Sequence, residues 1–270
     1  MALDKSFWLR ILDGRSDKNG AKKNGEGTEK DPIDEGLEGL QLSGSPNKKS
    51  RKLGKRVQSF GEEIGNTITH GVMALFMIGI LPYAAVRTYN RAPEGMKILD
   101  TVGVSIFVIC IFFMFLASTV YHAMRQGTIQ KQVMHRLDHI MIYFAIAGTY
   151  TPIALSLIGG PLGIGLCVAQ WAFVLAGTLI KSLAFSRSSK AWIMTVLIYL
   201  LMGWMIVLCM PALLSGASAP AFWLILSGGI CYTAGVISFV MRFPFAHMVW
   251  HFFVDFGAIC HFIAIVFFLR

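Results

Sequence analysis

From Asn66 to the C-terminus, apolar positions run in nearly unbroken stretches of about 20 residues, the length needed for an α-helix to cross a bilayer. The stretches cover 66–89, 98–123, 137–158, 162–181, 191–213, 220–241 and 247–269. They predict an all-α integral membrane protein, a seven-transmembrane helix bundle. Just upstream, Ser59 and Glu62 in "SFGE" have the spacing of a capping box, which starts the first helix there. Residues 13–56 are rich in Gly, Ser, Asn, Lys, Asp and Glu. Such a segment buries too little apolar surface to offset the entropy of ordering. The expected organisation is a polar, largely disordered cytoplasmic tail over 1–58 and a membrane domain over 59–270. Within the tail, the patch Phe7–Leu12 suits a short helix lying on the membrane surface. The basic run "KKSRKLGKR" (48–56) suits either a topology signal or attraction to anionic lipid.

Composition sharpens this division. Of the 270 residues 55% are hydrophobic and 14% charged, too apolar for an ordinary soluble domain. Residues 1–66 hold 13 of the 24 Lys+Arg and 11 of the 15 Asp+Glu. Beyond them the only acidic side chains are Glu94, Asp100, Asp138 and Asp255. Loop charge then sets the orientation. The 2–3 loop carries Arg125, Lys131 and Arg136, the 4–5 loop Lys181, Arg187 and Lys190, and the 6–7 loop Arg242, while the 3–4 and 5–6 loops are uncharged. Arg87, Arg91 and Lys97 in the 1–2 loop dissent, but the basic tail outweighs them. The N-terminus is expected in the cytoplasm and the C-terminus outside, in the plasma (inner) membrane. Membrane lipids are the expected partners, and nucleic acid is not. "MALDKSFWLRIL" is too short and too broken by Lys5 and Arg10 for a signal-peptide core, so the first span is expected to direct insertion. The five cysteines all lie in apolar runs without a C-x-x-C pair and read as buried hydrophobes.

The polar residues inside the spans carry the chemistry, because ionisable side chains are costly in hydrocarbon. Helix 1 opens with Glu63, Asn66 and His70 on one helical face. Helix 2 ends with Ser118 and His122, helix 3 opens with Asp138 and His139, and helix 7 opens with His247 and His251. Alternating topology brings all four sets to one depth, near the cytoplasmic leaflet. His247 and His251, four residues apart, point the same way about 6 Å apart along the axis. That suits chelation of one metal ion, and His122 would complete a three-imidazole set. Zinc held by three protein ligands keeps its fourth position for water, as in catalytic sites. Asp138 would orient that water or accept its proton, with Ser118 in support. Three imidazoles would also accept copper, nickel or iron.

Each residue also has a plainer reading. The His247/His251 pair could anchor an interface. Ser118 could bond its own helix backbone, and Asp138 could cap helix 3 or pair with Arg136 or Arg125. Glu63 and Asn66 could be helix-start residues in headgroup water. His135 and His139 border a loop and suit interfacial roles. His261, two to three turns deeper than His251, suits an interhelical hydrogen bond. Asp255 suits either a partner that fixes a ligand imidazole or a polar bundle contact.

The motifs "EIGNTITH" (63–70), "STVYH" (118–122), "DHIMIYFAIAGTYTP" (138–152) and "HMVWH" (247–251) resemble the hemolysin III branch of the progestin and adipoQ receptor family. The resemblance covers residues 57–270 with its motifs in order. It implies a seven-helix membrane fold with an intracellular N-terminus and a zinc ion held by His122, His247 and His251. It also implies Asp138 beside the metal-bound water and Ser118 close to it. Glu63, Asn66 and His70 match the family's first motif. Animal receptors of the family look like lipid-amide hydrolases acting on ceramide. The bacterial branch was named for hemolytic activity and has been linked to membrane homeostasis. The short uncharged outer loops, and an N-terminus without the extra segment of the animal receptors, favour the bacterial-type branch. The resulting expectation is a zinc-dependent hydrolase of a lipid amide or ester. The competing readings are a non-catalytic sensor or regulator of membrane state and a cytolytic, pore-forming protein. For a pore, the spans offer no repeated charged ring and no amphipathic lumen stripe.

Overall fold

The computed structural model describes residues 58–183, 189–241 and 243–269. The tail expected over 1–58, with its surface helix and basic run, lies outside the described residues except for Gln58. Seven helical spans follow, each long and apolar enough to cross a membrane. They are α1 (Phe60–Arg91), α2 (Lys97–Ala123), α3 (Ile129–Pro152), α4 (Gly160–Leu183), α5 (Ser189–Trp204), α6 (Ala219–Val240) and α7 (Ala246–Phe268). α5 continues through a tight 3₁₀ stretch (Met205–Cys209) into a further helical segment (Met210–Gly216), which completes the fifth span. The described residues contain no strand.

Local chemistry fixes the helix starts. Ser59 and Glu62 form the reciprocal capping box expected of them: Ser59 Oγ accepts from the Glu62 amide at 3.3 Å, and Glu62 Oε2 accepts from the Ser59 amide at 2.7 Å. α3 begins eight residues before the apolar run that predicts it. Thr128 is its N-cap, accepting from the Lys131 amide at 3.2 Å. Its first two turns therefore carry polar residues that the sequence pattern assigns to a loop.

α1 packs on α2 and α7, α2 on α3, and α6 on α7, while α3 also meets α4 and α5. Small residues let these helices approach closely, as membrane bundles require. A Cβ added to Gly148 of α3 would lie 2.6 Å from Cys110 Cβ of α2, and one added to Gly235 of α6 would lie 2.8 Å from Phe253 Cβ of α7. Large apolar side chains such as Leu75, Val168 and Leu208 stay exposed on the outside of the bundle, where lipid is their natural solvent.

Two helices break regularity inside the membrane, and neighbouring side chains satisfy the freed backbone groups. After Pro152, α3 widens into a π-helical turn (Ile153–Ile158). Across from it, the Tyr150 hydroxyl donates to the Gly203 carbonyl at 2.6 Å and accepts from the Ile206 amide at 2.9 Å, which stitches the α5 break to α3. Gln170 of α4 donates to the Met202 carbonyl at 2.9 Å. At the start of α2, Asp100 is fully buried and accepts from Ser156 Oγ of the π turn at 2.6 Å. The first turns of α1, α3 and α7 and the last turn of α2 meet at one end of the bundle, and that end carries the polar cluster.

Candidate metal centre

The centre is built on four helix ends. α2 supplies His122 from its last turn, and α7 supplies His247 and His251 from its first two. His122 and His251 are buried and His247 half-buried, and one ligand nitrogen from each lies within 4.8 Å of the others. His122 Nε2 and His247 Nε2 are 3.2 Å apart. Two imidazole nitrogens on one tetrahedral zinc, each at 2.0–2.1 Å, would sit roughly 3.3 Å apart. The group could therefore hold a metal ion of that size.

On His122 and His251 the opposite ring nitrogen is already engaged, which orients the imidazole. His122 Nδ1 donates to Glu63 Oε2 at 2.7 Å, leaving Nε2 to face His247. Asn66 Nδ2 stands 3.5 Å from the same Nδ1 and donates to Gln58 Oε1 at 3.0 Å. Glu63 is itself held. Its Oε1 accepts from Lys131 Nζ at 2.9 Å and from Gln126 Nε2. Lys131 is buried, donates also to the Met124 carbonyl at 3.0 Å, and lies over the Tyr121 ring at 4.8 Å. A carboxylate and a lysine at this depth each need the other, since an unpaired buried charge is strongly destabilising. His251 Nδ1 lies 3.1 Å from Thr69 Oγ1, so its Nε2 is the nitrogen left for a ligand role.

Glu62 ties α7 into place. Besides its capping role it accepts from the Phe245 amide at 2.7 Å. Phe245, two residues before His247, has φ 61°, an uncommon left-handed conformation for a bulky residue, and N-caps α7. The first turn of α1 thus fixes one candidate ligand through Glu63 and the backbone beside another through Glu62.

His70 lies face to face with His251, ring centroids 3.6 Å apart and planes 6° from parallel. Asp255 Oδ1 is 3.7 Å from His70 Nε2. Glu63 therefore holds a candidate ligand nitrogen by a hydrogen bond and Asn66 stands beside it, whereas His70 meets a candidate ligand by stacking and Asp255 lies next to His70. The Ser118 hydroxyl lies near the Asp138 carboxylate. Both line a long cavity, together with His70, His139, His247 and His251. His139, expected at the interface, is 14% exposed, packs against the tilted His135 ring with centroids 4.4 Å apart, and faces that cavity. His261 makes the interhelical contact expected of it, donating to the Ile225 carbonyl at 3.1 Å.

Sequence reasoning missed Lys131, Gln126, Thr69 and the Phe245 link of Glu62. Thr128 was the available signal for Lys131: read as an N-cap, it places Lys131 in the first turn of α3 and not in a loop.

The cavity continues away from this end as an apolar tube. Its wall includes Ile111, Ile146, Tyr150, Leu213, Phe222 and Val254. α1, α2, α3, α5, α6 and α7 all contribute to it, while α4 contributes none of its lining residues. Along α6 it reaches from Phe239 to Phe222, about 25 Å at the α-helical rise per residue.

A seven-helix membrane bundle with a three-histidine cluster at one end of an apolar tube defines the class. Comparison with known sequences makes it specific. The family profile described as "Haemolysin-III related" matches residues 58–262. Hemolysin-3 of Bacillus cereus is 34% identical over 222 residues, covering 82% of this chain and 97% of the relative. The Hemolysin-3 homolog of Bacillus subtilis (strain 168) is 33% identical over 208 residues, 77% of this chain and 94% of the relative. The monocyte to macrophage differentiation factor of Homo sapiens is 30% identical over 160 residues, 56% of this chain and 64% of the relative. The chain belongs to the haemolysin III family.

Proposed function

We propose that this chain is a zinc-dependent hydrolase of a lipid amide or ester, with its chemistry at the polar end of the bundle, near the cytoplasmic leaflet. The observation that carries the reading is that His247, His251, Asp138 and Ser118 open onto one apolar cavity. A catalytic centre and a hydrocarbon-lined tube are joined. At about 25 Å along α6, the tube is longer than one leaflet of a bilayer core of roughly 30 Å. A lipid acyl chain is the occupant that matches its length and its wall.

His122, His247 and His251 would hold the metal. When bound, it would supply Lewis acidity and a water activated at neutral pH. The chain's own residues do the rest. Glu63, steadied by Lys131 and Gln126, keeps the His122 ring oriented. Asp138, on the cavity wall, is the group to accept a proton from the attacking water and return it to the leaving group. Ser118, on the same cavity wall, is placed to support that water or a substrate carbonyl.

The names of the Bacillus relatives suggest a cytolytic reading. An apolar wall is a poor path for ions and argues against it. The test is product analysis: purified, metal-analysed protein incubated with lipid extracts. Release of free fatty acid by the wild type, and its loss in the His247→Ala/His251→Ala double variant, supports hydrolysis. A fully metallated protein that turns over no lipid favours the sensor reading, and leakage from protein-loaded liposomes would favour cytolysis.

A further inference from the structure

His70 and Asp255 form a second polar pair that the proposed chemistry does not use. His70 is 97% buried by its 3% exposure, and neither ring nitrogen has a hydrogen-bond partner. Asp255 is also buried, and its Oδ1 is likewise unpaired. The closest approach between them, Nε2 to Oδ1, is 3.7 Å, too long for a hydrogen bond. Buried polar groups are normally satisfied, and leaving them unpaired costs stability. Three unpaired atoms on two side chains at one spot in a membrane bundle therefore point to a third group that pairs with them. The ring that carries two of them lines the cavity.

The gap dictates what that group is. An atom bridging Asp255 and the His70 ring, of which only the ring lines the cavity, would have to accept from the His70 Nε2–H and donate to the Asp255 carboxylate. A hydroxyl does both, whereas a carbonyl cannot donate and an ammonium cannot accept. Position adds a second constraint. The His70 ring rests on the His251 ring at 3.6 Å between centroids, and Asp255 is one helical turn further along α7. A group held here lies within a few bonds of a carbonyl presented to the histidine cluster.

We propose that His70 and Asp255 form a subsite for a hydroxyl of the lipid, a few bonds from the scissile amide or ester. The proposal rests on the reading of the cavity as a lipid site. It makes the pair a specificity device: a lipid without the hydroxyl leaves both groups unpaired on binding, and the site discriminates against it.

Binding without turnover tests this. The full chain in detergent, loaded with zinc, is titrated with two matched pairs of lipids, using displacement of a fluorescent fatty acid. One pair is N-oleoylethanolamine and N-oleoylethylamine, and the other is an α-hydroxyacyl amide and its plain acyl counterpart. The wild type is expected to prefer the hydroxylated member of at least one pair by about tenfold or more. His70→Phe keeps a ring to stack on His251, and Asp255→Leu alters a different helix. Each is expected to bring the two members of that pair within twofold while retaining zinc, and either variant alone suffices. Equal binding in the wild type for both pairs, or a preference that survives the substitutions, overturns the subsite while leaving the lipid cavity intact. Equal binding would mean that the gap takes a water. Failure of all four lipids and of the fatty acid to bind would overturn the lipid reading itself.

Discussion

Glu63 Oε2 lies 2.7 Å from His122 Nδ1, and Lys131 Nζ lies 2.9 Å from the other oxygen of the same carboxylate. Three helices therefore converge on one imidazole, and its remaining nitrogen is turned toward His247. Such outer partners typically set metal affinity by 10–100-fold. Glu63→Gln and Lys131→Met are each expected to weaken zinc binding on that order, measured by competition with a chelator of known affinity. Lys131→Arg should recover much of the loss. Unchanged affinity in Glu63→Gln would mean that the carboxylate is only structural.

The histidine cluster itself gives the sharper contrast. His122→Ala, His247→Ala and His251→Ala should each lower zinc content strongly from about one ion per chain. His261→Ala should not, because its ring nitrogen bonds the Ile225 carbonyl on α6. Elemental analysis of the purified proteins distinguishes the two groups. Full zinc in the His247→Ala/His251→Ala variant would exclude the site.

These partners were unequally legible in the sequence. Seven spans could be read because roughly 20 apolar residues in a row leave little else to form. His122, His247, His251 and Asp138 stood out because polar residues in such runs are conspicuous, and Glu63 because it shares a helical face with Asn66 and His70. Lys131 did not, because in "IQKQVMHR" a lysine among polar residues resembles a loop charge, and only the fold of α3 back over Glu63 gives it a partner. The break in α5 at Met205–Cys209 was likewise hidden, since the residues that satisfy it, Tyr150 and Gln170, belong to other helices. His139 was read from its neighbouring loop, whereas helix rotation turns it to the cavity.

Packing of α6 on α7 predicts a stability effect independent of metal. In Gly235→Ala the new methyl would meet Phe253 Cβ at 2.8 Å and the Trp250 ring at 2.9 Å. Neither contact is the free end of a flexible chain. Overpacking of this kind costs about 1–3 kcal/mol, which would appear as a lower unfolding midpoint in detergent. Gly79→Ala, with open space around it, should match or exceed the wild type, because Ala is the better helix former.

Loop charge predicts orientation, with the N-terminus in the cytoplasm and the C-terminus outside. A tag at the N-terminus should be protected from protease in intact cells, and one after Arg270 should be accessible. Protection of both, or access to both, would mean that one of the seven spans does not cross.

The most direct test of the hydrolase account is Asp138→Asn. The substitution preserves size, and Asp138 is not among the three proposed ligands, so zinc content should remain at the wild-type level. Lipid turnover should fall by roughly a hundredfold or more, as expected when a general base is removed. Zinc content and turnover measured on the same preparation give both readouts. Retention of zinc with full turnover would contradict the account by removing Asp138 from the chemistry.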